Sequence, residues 1–252
     1  PGTVLDGIDR DGAARLIVGT PGSGKTEFAL SVLMAGLRRY GGTQAVMAVS
    51  GRVAADALGN RVIRELGFSV QARPVTTLGA VAFRAISASR EGTGLPSPRL
   101  LNGAEQDVII RKVLASHVEH RQHGDDCATC DLLRTYFAVS EWSGLVADDS
   151  TDAFASQLRD MLARMNEIGA KPELEDMLIA RAASRNGELD ARRERLRTQW
   201  RLAFALREEY NAAIRAAYSG EYRLDASQLM IDATEAVPDI WDADIPDMLI
   251  VD

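Results

Sequence analysis

The residue types best suited to chemistry lie near the start of the chain, in segment 19–26. This segment has the Gly-x-x-x-x-Gly-Lys-Thr pattern of a phosphate-binding loop. Glycines let the backbone approach a phosphate closely, and the N–H groups at a helix N-terminus attract its negative charge. Lys25 is predicted to reach the β- and γ-phosphates, and the Thr26 hydroxyl is predicted to ligate Mg²⁺. The predicted nucleotide site consists of Gly19, Thr20, Pro21, Gly22, Ser23, Gly24, Lys25 and Thr26.

The segments that flank this loop must position it, and their patterns fit that task. Residues 14–18 are mostly apolar and predict a short buried strand, while the apolar spacing over 27–39 predicts a helix. The alternation then continues with predicted strands at 44–50 and 69–75 and predicted helices at 53–66 and 78–89. Alternating strands and helices predict an α/β fold, with a parallel sheet covered by helices on both faces.

A second candidate group stands at Asp252, after the apolar residues 248–251. A buried strand there would deliver its carboxylate beside the loop, where it could hold Mg²⁺ directly or through water. The alternative is a solvated Asp at a strand end. We predict Lys25 and Asp252 as catalytic residues, and Thr26 and Asp252 as magnesium ligands. Because no water-activating Glu follows Asp252, we expect the N-terminal part of a longer enzyme, with little hydrolytic activity of its own.

The region between the two halves of this site is predicted to be helical. Asn102 and Glu105 have the spacing of a capping box, which predicts a helix that starts there and runs to about residue 120. Apolar stripes predict further helices over 151–168 and 188–218. We therefore expect a discontinuous core of residues 1–97 and 223–252, interrupted by an all-helical inserted subdomain of residues 98–222.

All histidines and cysteines of the chain fall within 14 positions, at His117, His120, His123, Cys127 and Cys130. Two Cys and two His could form a tetrahedral zinc site, and the predicted candidates are His120, His123, Cys127 and Cys130. The histidine spacing matches no common zinc finger, which favours a second interpretation: free thiols on a loop beside histidines on a helix surface. A disulfide is not expected.

Composition and charge limit the classes of function. With 46% apolar and 26% charged residues, the chain has the composition of a globular protein. It has no apolar run of membrane-spanning length, and its two cysteines predict the reducing cytoplasm. The net charge of −7 excludes a bulk nucleic-acid binder. Residues 1–97 carry 11 basic and 7 acidic groups, so a nucleic-acid surface is expected there.

Several segments follow the order of motifs in one known family. Residues 19–26 correspond to its Walker A motif, and residues 248–252 to the start of its Walker B motif. Residues 50–55 stand where the family has a Thr-Asn-Lys-Ala-Ala segment that grips single-stranded DNA, and residues 75–83 resemble its Thr-Phe-His segment. The chain thereby resembles the N-terminal part of UvrD/PcrA/Rep-type superfamily 1 DNA helicases, in their actinobacterial branch.

This resemblance implies a RecA-like P-loop NTPase core that uses ATP and Mg²⁺. It also implies 3′-to-5′ translocation on single-stranded DNA and unwinding of duplex DNA in repair or replication, with no membrane partner. Ser50, Arg52 and Thr77 are the implied DNA contacts. Leu78 and Gly79 replace the family's Phe-His, so an aromatic platform for base stacking is missing there. The alternatives are a non-catalytic motor-like subunit of a helicase–nuclease and a P-loop small-molecule kinase.

Overall fold

The computed structural model describes residues 14–41, 44–67, 72–91, 93–125, 127–137, 150–184, 190–241 and 244–252. The fold is mixed α/β, mostly helical with small parallel sheets. The chain divides into two compact units. The first comprises residues up to 95 together with 233–252, and the second comprises residues 96–232. None of the helices in the described part of the chain has the length and apolar composition that a membrane span requires.

The helices and strands are numbered here in chain order. The helices are α1 (Lys25–Tyr40), α2 (Arg52–Leu66), α3 (Leu78–Glu91), α4 (Gly103–His123), α5 (Ala128–Tyr136), α6 (Ser150–Glu167), α7 (Glu175–Ser184), α8 (Asp190–Ala217) and α9 (Leu229–Ala236). The strands are β1 (Ala45–Val49), β2 (Val75–Thr77), β3 (Pro98–Leu100), β4 (Tyr222–Leu224) and β5 (Met248–Val251). Short 3₁₀ turns precede α7 and follow α9, at Pro172–Leu174 and Val237–Asp239.

The first unit is organised around a parallel sheet with strand order β2–β1–β5. All five residues of β1 are buried, as expected for a central parallel strand covered on both faces. The strand predicted at 69–75 starts only at Val75, and residues 69–71 lie outside the described residues. Pro74 has no N–H to donate, but its carbonyl accepts from the Met47 N–H at 2.8 Å and so begins the ladder.

The prediction of a strand at residues 14–18 is wrong. These residues have no regular secondary structure, and Leu16 and Val18 are 89% and 84% exposed. A strand must satisfy its backbone N–H and C=O groups on a neighbouring strand. In the described part of the chain, residues 14–18 pair with no strand, and β5 remains an edge strand with Leu249 and Val251 partly exposed. The apolar run therefore has the composition of a strand, but in the described residues it does not pair with the open edge of β5.

Helix α1 packs closely on the sheet at Gly36. A Cβ placed there would lie 2.1 Å from the Met248 Cε atom and 3.3 Å from the Ala45 Cβ atom. Leu33 and Leu37 of the same helix are buried in the core of this unit. This packing holds α1, and the loop that precedes it, against β1 and β5.

The second unit is built around the long helix α8, which packs against α4, α5, α6 and α7. The predicted capping box is confirmed, since the Glu105 N–H donates to Asn102 Oδ1 at 2.9 Å and the Asn102 N–H donates to Glu105 Oε2 at 2.8 Å. The long helix predicted at 188–218 is observed over 28 residues, and residues 188 and 189 lie outside the described residues. Its buried Leu206 and Tyr210 belong to the core of the unit.

The prediction that the insertion is all-helical is wrong. Strands β3 and β4 form a second, two-stranded parallel sheet, and the Leu101 N–H extends it by donating to the Leu224 carbonyl at 2.9 Å. Leu101 and Leu224 are both buried. Each strand is only three residues long, and the two are far apart in sequence. Their pairing could therefore not be predicted from a local pattern. They join the two ends of the helical segment.

Replacing the buried Arg207 of α8 by Met is expected to destabilise the second unit by about 2–3 kcal/mol. Its guanidinium donates to the buried Ala170 carbonyl and lies 4.8 Å from the Phe204 ring centroid. Met keeps the apolar stem but leaves the carbonyl without its charged donor. Urea unfolding followed by circular dichroism measures the loss. Arg215→Met, at an exposed position of the same helix, should change the free energy of unfolding by less than about 0.5 kcal/mol.

Candidate functional site

The loop before α1 has a backbone that requires its glycines. Gly22 and Gly24 have φ angles of +77° and +82°, in the left-handed region that residues with a Cβ rarely adopt. At Gly19 a Cβ would lie 2.5 Å from the Ser23 Oγ atom. The Ser23 N–H donates to the Thr20 carbonyl at 3.2 Å and closes the turn. The loop is therefore held in one compact shape that ends at the N-terminus of α1.

The Lys25 side chain folds back into this loop. Its Nζ atom donates to the Gly19 and Thr20 carbonyls, each at 2.9 Å. The ammonium is thus held at the loop by two neutral acceptors and carries no paired carboxylate in these contacts. A positive charge held beside a helix N-terminus favours an anionic ligand such as a phosphate.

Thr26 and Asp252 lie in contact although 226 positions separate them in the chain. The Thr26 hydroxyl donates to the Asp252 carboxylate, at 2.9 Å to Oδ2 and 3.2 Å to Oδ1. The Asp252 N–H donates to the Ala48 carbonyl at 2.9 Å, which extends the pairing of β5 with β1 by one residue. A hydroxyl oxygen and a carboxylate oxygen form the kind of donor set that Mg²⁺ prefers.

The neighbouring carboxylate, Glu27, is neutralised by a cation. Arg61 of α2 donates to both of its oxygens, at 2.5 and 2.7 Å, and also to Glu65 at 2.7 Å. The hydrogen bond from Arg61 lowers the pKa of Glu27 below its ordinary value, so this carboxylate stays ionised and paired. The pairing offsets a negative charge that would otherwise repel an anion at the loop.

The predicted DNA contacts lie at the same end of the sheet as Asp252. Ser50 follows β1 and is exposed, Arg52 is the exposed first residue of α2, and Thr77 is the last residue of β2. The ends of parallel strands meet at one edge, and the register pairs Val49 with Thr77. The Thr77 hydroxyl accepts from the Ala80 N–H at 3.2 Å, so it also caps α3.

The histidines and cysteines of the second unit are arranged differently from the prediction. His117, His120, Cys127 and Cys130 bring one potential ligand atom each within 4.8 Å of one another. His123 is exposed, and its Nδ1 atom bonds the Glu119 carbonyl at 2.8 Å. The interpretation as loop thiols beside surface histidines holds only in part: no disulfide joins Cys127 and Cys130, and His123 is exposed, but His117 and Cys130 are only 2% and 4% exposed.

His117 is the residue of this cluster that the predicted ligand set missed. Its i,i+3 spacing to His120 places the two on one face of α4, a signal that the sequence already contained. Glu209 of α8 holds the His117 ring in place, since His117 Nε2 and Glu209 Oε2 lie 2.6 Å apart. Burial opposes ionisation of His117, but this contact raises its pKa above the ordinary value.

No protein-family model matches the chain, and no curated protein is detectably similar to it.

Proposed function

We propose that the first unit binds Mg–ATP as a P-loop NTPase core of the RecA-like type, and that the chain is part of an ATP-driven DNA helicase of the UvrD/PcrA/Rep type. The observation that carries the proposal is the contact between Thr26 and Asp252. A Gly-Lys-Thr loop and a carboxylate after an apolar strand are each common. Their meeting across 226 positions is what one magnesium–triphosphate site requires.

The roles of the residues follow from their chemistry. The N–H groups of the loop and of the first turn of α1 would hold the phosphates, and the left-handed glycines leave room for that approach. Lys25 would exchange its two carbonyl acceptors for phosphate oxygens. Thr26 and Asp252 would hold Mg²⁺, which supplies neutralisation of the charge on the transferred phosphoryl group.

The DNA part of the proposal rests on the same edge of the sheet. Ser50 and Arg52 follow β1, the neighbour of the strand that carries Asp252, and Thr77 ends β2 on the other side of β1. Their closeness along the sheet edge would let nucleotide binding alter a DNA contact. The excess of basic residues in 1–97 favours phosphate-backbone contacts there.

The metal role of Asp252 is tested by replacing it with Asn. We expect Asp252→Asn to weaken Mg–ATP binding about tenfold, equivalent to about 1.4 kcal/mol, because a neutral amide replaces a carboxylate near the cation. Isothermal titration calorimetry in Mg²⁺ and in EDTA measures the effect, which should vanish in EDTA. Asp247→Asn, just before β5, is the matched control. Equal weakening in both buffers would contradict the metal role.

The helicase interpretation is separated from a kinase by DNA binding. Fluorescence anisotropy of a labelled single-stranded oligonucleotide should show binding that changes when Mg–ATP is added. We expect Arg52→Ala to weaken this binding roughly fivefold, since one phosphate contact contributes about 1 kcal/mol. Arg64→Ala, at an exposed position of the same helix, serves as the control. Nucleotide binding without any DNA binding would favour the kinase or the inert subunit.

A further inference from the structure

We propose that His117, His120, Cys127 and Cys130 bind one zinc ion, which forms a structural site inside the second unit. The site is distinct from the nucleotide site of the first unit, and the proposal does not rest on the proposed function. It starts from the observation that all four potential ligand atoms lie within 4.8 Å of one another.

Three of the four ligands already have the spacing of a tetrahedral zinc site. The two Sγ atoms lie 3.5 Å apart, and His117 Nδ1 lies 3.5 Å from Cys127 Sγ and 3.4 Å from Cys130 Sγ. Zn–S bonds of about 2.3 Å and Zn–N bonds of about 2.0 Å at tetrahedral angles put S–S pairs about 3.8 Å apart and S–N pairs about 3.5 Å apart. The observed triangle differs from this by only a few tenths of an ångström.

The fourth ligand is indicated by a polar atom that lacks a partner. His120 Nδ1 is buried and makes no hydrogen bond within the described residues. Burying such an atom without a partner costs free energy, so buried polar atoms nearly always bond to protein, water or a ligand. The ring of His120 lies 5.7 Å from that of His117, centroid to centroid. A metal ion bound between these residues would give Nδ1 its missing partner.

A glutamate outside the ligand set orients His117. Glu209 Oε2 lies 2.6 Å from His117 Nε2, and its other oxygen, Oε1, accepts from the Thr129 hydroxyl at 2.6 Å. With Nε2 protonated and donating to Glu209, the lone pair of Nδ1 faces the two sulfur atoms. This is the carboxylate–histidine–metal arrangement that fixes the tautomer and ring orientation of zinc ligands.

The local backbone is shaped to bring the two ligand pairs together. His117 and His120 stand on the last turns of α4, and Gly124 ends that helix with a left-handed φ of +77°. Cys127 is then the N-cap of α5, and its sulfur accepts from the Cys130 N–H at 3.4 Å.

The two nitrogen and two sulfur ligands indicate which metal binds and that its role is structural. Two nitrogens and two sulfurs in tetrahedral arrangement suit zinc, while oxygen-binding cations such as Mg²⁺ avoid thiolates. Ligand atoms within 4.8 Å of one another span one ion and leave no room for a cluster of two irons. Four protein ligands leave no open coordination position, which is typical of a structural site. The ion would join α4 to α5 beside α8.

The test measures metal content and metal spectra of the full chain. Protein purified without chelator should contain one zinc per chain by elemental analysis. Titration of the metal-free chain with Co²⁺ should produce tetrahedral d–d bands and cobalt–thiolate charge-transfer bands that saturate at one equivalent. Added Zn²⁺ should then bleach them. The thiolate bands separate this site from any metal held by Thr26 and Asp252.

Variants separate ligands from bystanders. Cys127→Ser with Cys130→Ser should lose the zinc and the bands, and His120→Ala should lose them as well, with circular dichroism of the metal-free chain as the check on folding. Glu209→Gln should weaken Co²⁺ binding about 10–100-fold while keeping the bands. His123→Ala, on the same helix, should bind like the parent chain. No zinc and no thiolate bands in the parent chain, or bands that survive in the double Ser variant, would overturn the proposal.

Discussion

Replacing Lys25 by Ala is expected to weaken Mg–ATP binding at least about 100-fold. The ammonium now donates to two loop carbonyls, each at 2.9 Å, and would donate to phosphate oxygens instead. Bonds to charged groups contribute about 1.5–3 kcal/mol each, so losing two costs about 3 kcal/mol or more, and every 1.4 kcal/mol is tenfold in affinity. Isothermal titration calorimetry, or displacement of a fluorescent nucleotide, measures the loss.

The matched control uses another lysine of the chain. Only three lysines are present, and Lys112 is exposed on α4 in the second unit. Lys112→Ala should bind Mg–ATP as the parent chain does. If Lys25→Ala bound with unchanged affinity while its circular dichroism matched that of the parent, the loop would not be a triphosphate site, and the helicase proposal would lose its basis. The zinc proposal would be unaffected.

Removing zinc is expected to loosen the second unit and leave the first unit unchanged. At a free metal concentration about 1,000 times the dissociation constant, a bound ion stabilises the folded state by about 4 kcal/mol. Hydrogen exchange followed by mass spectrometry should therefore become up to about 1,000-fold faster in α5 and in the last turns of α4 after chelation. Peptides from β1, in the other unit, provide the internal reference.

The control for chelation is the double variant Cys127→Ser with Cys130→Ser. Its exchange should already be fast and should not change when the chelator is added. A parent chain whose α4 and α5 exchange identically with and without chelator would contradict a stabilising ion. Faster exchange in β1 as well would indicate that the chelator acts on the whole molecule.

Features that depend on neighbours in sequence were predictable from the sequence. The capping box of Asn102 and Glu105 closes over three residues, so spacing alone specifies it. The apolar run in β1 predicted a fully buried strand, and all five of its residues are buried. Both features are determined by the size and hydrogen-bonding groups of side chains within a single helical turn or strand.

Predictions of strands depended on a second segment, distant in sequence, with which the strand could pair. Residues 14–18 have the composition of a buried strand, yet in the described part of the chain no strand pairs with them. β3 and β4 have too few residues to show a pattern, yet each is the other's neighbour. Strand pairing is a property of two segments, and apolar composition reports only on one.

The zinc candidates show the same limit within one cluster. Composition identified the five residues that could ligate a metal, but it selected His123 where the structure selects His117. The choice depends on Glu209, which lies 92 positions away on α8 and holds the ring of His117 toward the two cysteines. Helical spacing allowed either histidine, and packing of α8 against α4 and α5 decided between them.

Amino-acid types and motifs already specified the chemistry that each segment can offer: a glycine-rich loop with Lys25 and Thr26, a carboxylate at Asp252, and a cluster of thiols and imidazoles. Which of these groups meet depends on how the helices and strands pack. Thr26 reaches Asp252 because β5 pairs with β1 while α1 packs on both strands. Residue types and local spacing act along the chain, whereas a binding site requires groups from distant segments within a few ångströms of one another. That condition is met by packing.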